Sequence, residues 1–154
     1  MIVYEGEVET WRTQPEWHIL DAALGDADGD GRGDLVLAML KQDASGEWRS
    51  HPFIIGYCGG IYRNLWGGSA VSDPIAEIEL GNVYGDPAQE LVVLEERQSG
   101  LRAVTVWSWH GWGFSLEWRS PEGDYENMRL QQTDGENPAI IRVRRKIPWF
   151  RPGD

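Results

Sequence analysis

The chain has 154 residues, with 25 acidic against 14 basic side chains, one Cys, 19 Gly and nine Trp. That length suits one domain with a real core, and a formal charge of −11 excludes the basic surface that nucleic acid or an anionic membrane selects. A lone Cys excludes an internal disulfide framework or a Cys-rich metal centre, an apolar share of 41% excludes disorder, and no run nears the ~20 apolar residues of a membrane span.

The segment from Met1 to Glu7 has no basic region followed by an apolar run, so no export leader is expected. In chain order, turn residues and alternation predict strands over 2–4 and 7–11, joined at Glu5-Gly6. Strands over 20–24 and 35–40 flank an Asp/Gly loop, and strands over 53–57 and 61–66 flank a Gly59-Gly60 hairpin turn. The same scheme predicts strands over 75–80, 91–95, 103–109 and 113–118, and a shorter pair near 128–132 and 140–145. Helical periodicity is absent, and the glycines supply the turns.

Laid on itself, the sequence repeats. Residues 23–37 align with 79–93 at an offset of 56, and 129–142 form a shorter third copy. A Trp-centred element recurs at Trp11, Trp66 and Trp118, 55 and 52 residues apart. Four short antiparallel strands in each unit of about 50 residues is the blade of a β-propeller. The expected fold is therefore all-β, with about three blades in one domain: 17–70, 71–122, and a third whose inner strands lie in 126–147 and outer strands in 1–16. The two halves of that third blade carry opposite charge, Glu5, Glu7 and Glu9 against Arg142, Arg144 and Lys146, which favours their sharing a sheet. Three blades are too few to close a ring, since propellers typically use about four to eight. Two completions are open: a homodimer closing a six-bladed ring by exchange of terminal strands, or a longer chain of which this is one part. Residues 140–154 carry a net +4, and the alternation of Ile141 and Val143 reads them as a strand with one solvated face.

The segment from Asp26 to Asp34, Asp-Ala-Asp-Gly-Asp-Gly-Arg-Gly-Asp, holds the sharpest chemistry. Carboxylates at positions 1, 3, 5 and 9 of a tight loop converge, and hard oxygen donors at that density suit calcium. The expected ligands are Asp26, Asp28, Asp30 and Asp34, with the Arg32 backbone carbonyl at position 7. An EF-hand is rejected, because position 12 is Leu37 in place of a bidentate Glu and the flanks are strands.

This loop with its following strand resembles the calcium loop of FG-GAP/VCBS-type repeats of integrin alpha-like propellers. The resemblance implies Ca2+ on Asp26, Asp28, Asp30 and Asp34, a role in protein–protein interaction or scaffolding, and an extracellular or cell-surface setting. In the second unit Asn82, Tyr84, Asp86 and Glu90 occupy the corresponding places, and Pro87 replaces a Gly. The third keeps only Asp134 and Glu136. One good site, one weak or empty site and a plain turn are expected, with the calcium structural. Arg32-Gly33-Asp34 spells an adhesion tripeptide, which reads as chance with Asp34 on the metal.

Catalytic patterns are absent. His18, His51 and His110 stand apart, and no Gly-rich phosphate loop or nucleophile elbow occurs. Cys58 ends an apolar strand and reads as a buried hydrophobe. A binding module, not an enzyme, is expected. Its alternative form is lectin-like, using Trp48, Trp107, Trp109, Trp112 or Trp149, for each of which core packing competes.

Overall fold

The computed structural model describes residues 1–67, 74–85, 88–133 and 137–146. Among them are twelve strands and no helix: β1 (Ile2–Glu5), β2 (Val8–Arg12), β3 (His18–Gly25), β4 (Asp34–Gln42), β5 (Trp48–Cys58), β6 (Ile61–Gly67), β7 (Ile75–Gly81), β8 (Glu90–Glu96), β9 (Arg102–Trp109), β10 (Phe114–Arg119), β11 (Tyr125–Gln131) and β12 (Ile140–Arg145). Each predicted strand is present. Strands β3 to β6 form one antiparallel sheet in chain order and β7 to β10 a second, while β1–β2 and β11–β12 are two-stranded.

Three apolar layers stack these sheets in series. Val36, Ile54, Ile78 and Leu91 bury the face between the two large sheets. Val92, Val106 and Met128 lie between the second sheet and β11–β12. Leu37, Phe53 and Ile55 lie beneath β1–β2, which contributes Val3 and Trp11. The central strands β4 and β8 are buried on both faces and accordingly read as continuous apolar runs.

The repeat extends to irregularities that no periodicity count shows. In every inner pair the register slips at one place, between Ile19 and Asp21, between Ile75 and Glu77, and between Tyr125 and Asn127. Each outer pair slips beside the recurring Trp, so that Trp11, Trp66 and Trp118 lie opposite Val3, Ile54 and Val106. Such bulges re-aim side chains. Here they turn Asp21 and Glu77 toward the next sheet, where Asp21 Oδ2 accepts the Ile78 N–H at 2.9 Å and Glu77 Oε2 the Met128 N–H at 2.8 Å.

Two expectations shift. Strand β5 begins at Trp48, ahead of the predicted 53, because β4 and β5 stay paired out to Gln42↔Trp48. The polar Ser50 and His51 followed by Pro52 hid this; Ser50 and His51 are nonetheless buried. Ser50 Oγ accepts the Ile75 N–H at 2.8 Å, tying the first sheet to the start of the second. Cys58 is half-exposed and not a core residue. It sits at the sheet tip opposite Ile61, with the Arg63 guanidinium 2.6 Å from its sulfur.

Candidate functional site

The loop from β3 to β4 is held by its own carboxylates. Asp26 accepts the N–H groups of Gly29 and Gly31, both at 2.8 Å. Asp34, the first residue of β4, turns Oδ2 back to the N–H groups of Ala27 at 2.9 Å and Asp28 at 3.2 Å. Gly29 and Gly31 have φ of 78° and 84°, a region that side chains rarely enter, so glycine is what lets the chain reverse here. Gln89 reaches across from the second sheet, its Oε1 accepting the Asp26 N–H at 2.8 Å.

Asp26, Asp28 and Asp34 each offer a carboxylate oxygen, all within 4.8 Å of one another. Asp34 is only 2% exposed. Burial, then the charge of Asp28, pushes its carboxyl up to about 6. Asp28 is also raised, first by burial and then by Asp30 and Asp26. Asp30 stands outside the group: it is exposed, and its Oδ1 accepts the Arg32 N–H at 2.8 Å. The Arg32 guanidinium lies 5.0 Å from the centre of the Tyr57 ring. Of the Arg32-Gly33-Asp34 tripeptide, Arg32 and Gly33 are exposed, while Asp34 is folded under the loop.

Three carboxylate oxygens within 4.8 Å of one another lie close enough to converge on one hard cation, and calcium takes such oxygen ligands at about 2.3–2.6 Å. The donor set therefore fits a hard divalent cation.

The loop from β7 to β8 repeats the frame with Glu90 as the one carboxylate among its described residues. Glu90 Oε2 accepts the N–H groups of Val83 at 2.7 Å and Tyr84 at 3.4 Å, and Asn82 Oδ1 accepts that of Gly85 at 2.5 Å. These are the bonds of Asp34 and Asp26 at the 56-residue offset. Asp86 and Pro87 lie outside the described residues, as do Asp134 and Glu136 of the third copy.

Of the candidate tryptophans, Trp107 and Trp109 pack against the core between the large sheets. Trp109 belongs to a cluster with Trp66 and Phe114, ring centroids 5.2–5.5 Å apart. Trp48 and Trp112 are exposed, stacked on His18 and His110. Trp149 lies outside the described residues.

Sequence reasoning passed over Gln89, Asp21 and Glu77. Each bonds a backbone group of a neighbouring sheet or loop, and only the 56-residue offset between Asp21 and Glu77 could have drawn notice. It also passed over Ser115, which lies between His110 Nε2 at 2.5 Å and Glu117 Oε1 at 2.6 Å on the surface. Compared with protein-family models, curated proteins and solved structures, the chain matches none.

Proposed function

We propose that this chain is a calcium-binding module of β-propeller type, similar to FG-GAP/VCBS repeats, that acts in protein–protein interaction or as a scaffold and not as a catalyst. Each four-stranded sheet is one blade, β11–β12 and β1–β2 are the inner and outer halves of a third, and two copies make a six-bladed ring. The reading carries with it an extracellular or cell-surface setting.

One observation carries it. Two loops share a backbone frame, and among the described residues only the first adds carboxylates beyond what that frame uses. Asp26, Asp28 and Asp34 would hold the ion, and Asp30 and the Arg32 carbonyl are the further ligands that the resemblance supplies. A bound dication neutralises the mutual repulsion of these groups and pins β3 to β4. The residues themselves orient the site: backbone N–H groups fix the Asp26 and Asp34 carboxylates, and Gln89 anchors the loop start.

The test is thermal unfolding in calcium and in excess chelator. A ligand that binds only the native state at 100 times its Kd stabilises by about 2.7 kcal/mol, so calcium should raise Tm and chelator lower it. Asp28→Asn should abolish the difference. Melting curves that coincide in calcium and chelator would overturn the metal reading. A second reading, a lectin-like surface, draws on the exposure of Trp48 and Trp112. An oligosaccharide panel that leaves Trp fluorescence unquenched removes it.

A further inference from the structure

The outer faces of the stack occupy positions equivalent to those that the inner sheets bury against one another, with Arg142 and Arg144 on β12 in the places of Val36 and Ala38. We propose that a second copy of this chain covers both, with β1 of one copy hydrogen-bonded to β12 of the other in the register Val3↔Arg142. This deepens the ring reading above, on which it rests, by naming the seam.

Internal alignment supplies the register. Leu24↔Leu35, Leu80↔Leu91 and Leu130↔Ile141 are equivalent pairs, each just after the inner bulge, so Arg142 stands where Val36 and Val92 stand. The outer bulges beside Trp11, Trp66 and Trp118 put Val3 where Ile54 and Val106 stand. In the complete sheets Val36 pairs with Ile54 and Val92 with Val106. Arg142 therefore pairs with Val3, Ile141 with Tyr4, and Val143 with Ile2. Among the described residues, neither β1 nor β12 pairs with any further strand.

Exposure marks the same seam. Leu80 is 7% exposed against the first sheet, while Leu24, its equivalent, is 76% exposed on the face where no inner pair of strands lies. Trp11 and Trp66 pack against the next sheet in the stack. Trp118, their equivalent, is 47% exposed where the outer half of the third sheet would lie. Val3 packs on the first sheet, so β1 turns Ile2 and Tyr4 outward, 41% and 55% exposed. In the proposed assembly that outward face meets Trp118 of the other copy, and Leu24 meets its β11–β12.

Charge and hydrogen bonding agree. The β1–β2 hairpin carries Glu5, Glu7 and Glu9, whereas Arg142, Arg144, Arg145 and Lys146 crowd β12 and the residue after it. The register places Glu5 diagonal to Arg142 on one face, within reach of long side chains. Asn127 occupies the bulge position of Asp21 and Glu77. By the pattern of those two, its amide oxygen would take over the Ala22 N–H of the other copy, which within one chain donates to Asp21 Oδ1 at 2.9 Å.

Light scattering on the whole chain should give twice its 17.4 kDa mass. In a Cys58→Ser background, oxidising Ile2→Cys/Val143→Cys should give a covalent dimer, because directly opposed cross-strand residues come close to disulfide distance. Ile2→Cys/Ile141→Cys, displaced by two residues, should not cross-link. Hydrogen exchange on the unmodified chain should show β1 and β12 as protected as β5 and β9, and Trp118→Asp should raise the dimer dissociation constant tenfold or more. A monomeric mass at all concentrations, or a ladder of larger masses, overturns the two-copy ring and this seam with it. A dimer that cross-links only through the displaced pair, or through neither, overturns the register and leaves the ring standing. The calcium reading is judged apart, by melting temperature.

Discussion

The β3–β4 and β7–β8 loops use the same backbone bonds to opposite electrostatic ends. In both, a carboxylate at the start of the second strand caps two N–H groups of the loop, and a side-chain oxygen at loop position 1 accepts the N–H three residues on. The second loop makes its position-1 bond with the neutral amide of Asn82 and has Tyr84 where the first has Asp28. The frame thus needs one buried carboxylate and one acceptor. Asp28 and the charge on Asp26 exceed that need; burial first and then the charge of Asp28 push the Asp34 carboxyl up, at a cost to the metal-free state. That surplus is what the proposed calcium site rests on.

The contrast can be broken in four ways. The largest effect should come from the shared anchors. Asp34→Ala and Glu90→Ala each strand two backbone donors and should cost on the order of 2–4 kcal/mol in urea unfolding, equally with or without calcium for Glu90. Gly56→Ala comes next. A Cβ there would meet the Asp34 carboxylate and Leu65, and overpacking of this kind costs about 1–3 kcal/mol. Ser108 occupies the equivalent place, one residue beyond the aligned Leu35↔Ile55 and Leu91↔Trp107 pairs, so Ser108→Ala should be milder. Thirdly, Asn82→Asp/Tyr84→Asp moves the surplus charge to the second loop; it should lower Tm in chelator by a few degrees and recover it in calcium, about 4–8 °C per kcal/mol for small domains. An identical Tm in both buffers would mean that position 6 of the loop, Gly31 in the first and Pro87 in the second, and not charge count, decides binding. The smallest effect is Asp28→Asn in chelator. Relieving repulsion on Asp34 should stabilise by less than about 1 kcal/mol, read as a small rise in the urea midpoint.

How much of this was written in the sequence divides along the same line. Strand existence and the 56-residue offset were legible because apolar alternation and turn glycines are local signals. The burial of β4 and β8 on both faces is consistent with their continuous apolar runs. The convergence of Asp26, Asp28 and Asp34 followed from loop spacing, but the position of Asp30 did not: its carboxylate turns to the Arg32 N–H, a local competition that spacing cannot rank. Strand β5 was foreshortened because Pro52 reads as a breaker, yet it pairs with Ala38 inside the sheet. For Trp107 and Trp109 the sequence left core packing competing with a ligand role, and tertiary contact places them on the core. Asp21 and Glu77 look like ordinary solvent-facing acids, since their role depends on a bulge and on a neighbouring sheet.

Those two carboxylates have a consequence for how the molecule comes apart. Packed layers of side chains let stacked sheets loosen one at a time, as coupled units in a linear array. A side chain bonded to the next sheet's main chain adds a directional link, so parting two neighbours exposes a buried donor at once. The amide protons of Ile78 and Met128 are therefore natural gauges of cooperativity. Their exchange rates report the free energy of separating one sheet from the next, distinct from that of unravelling either.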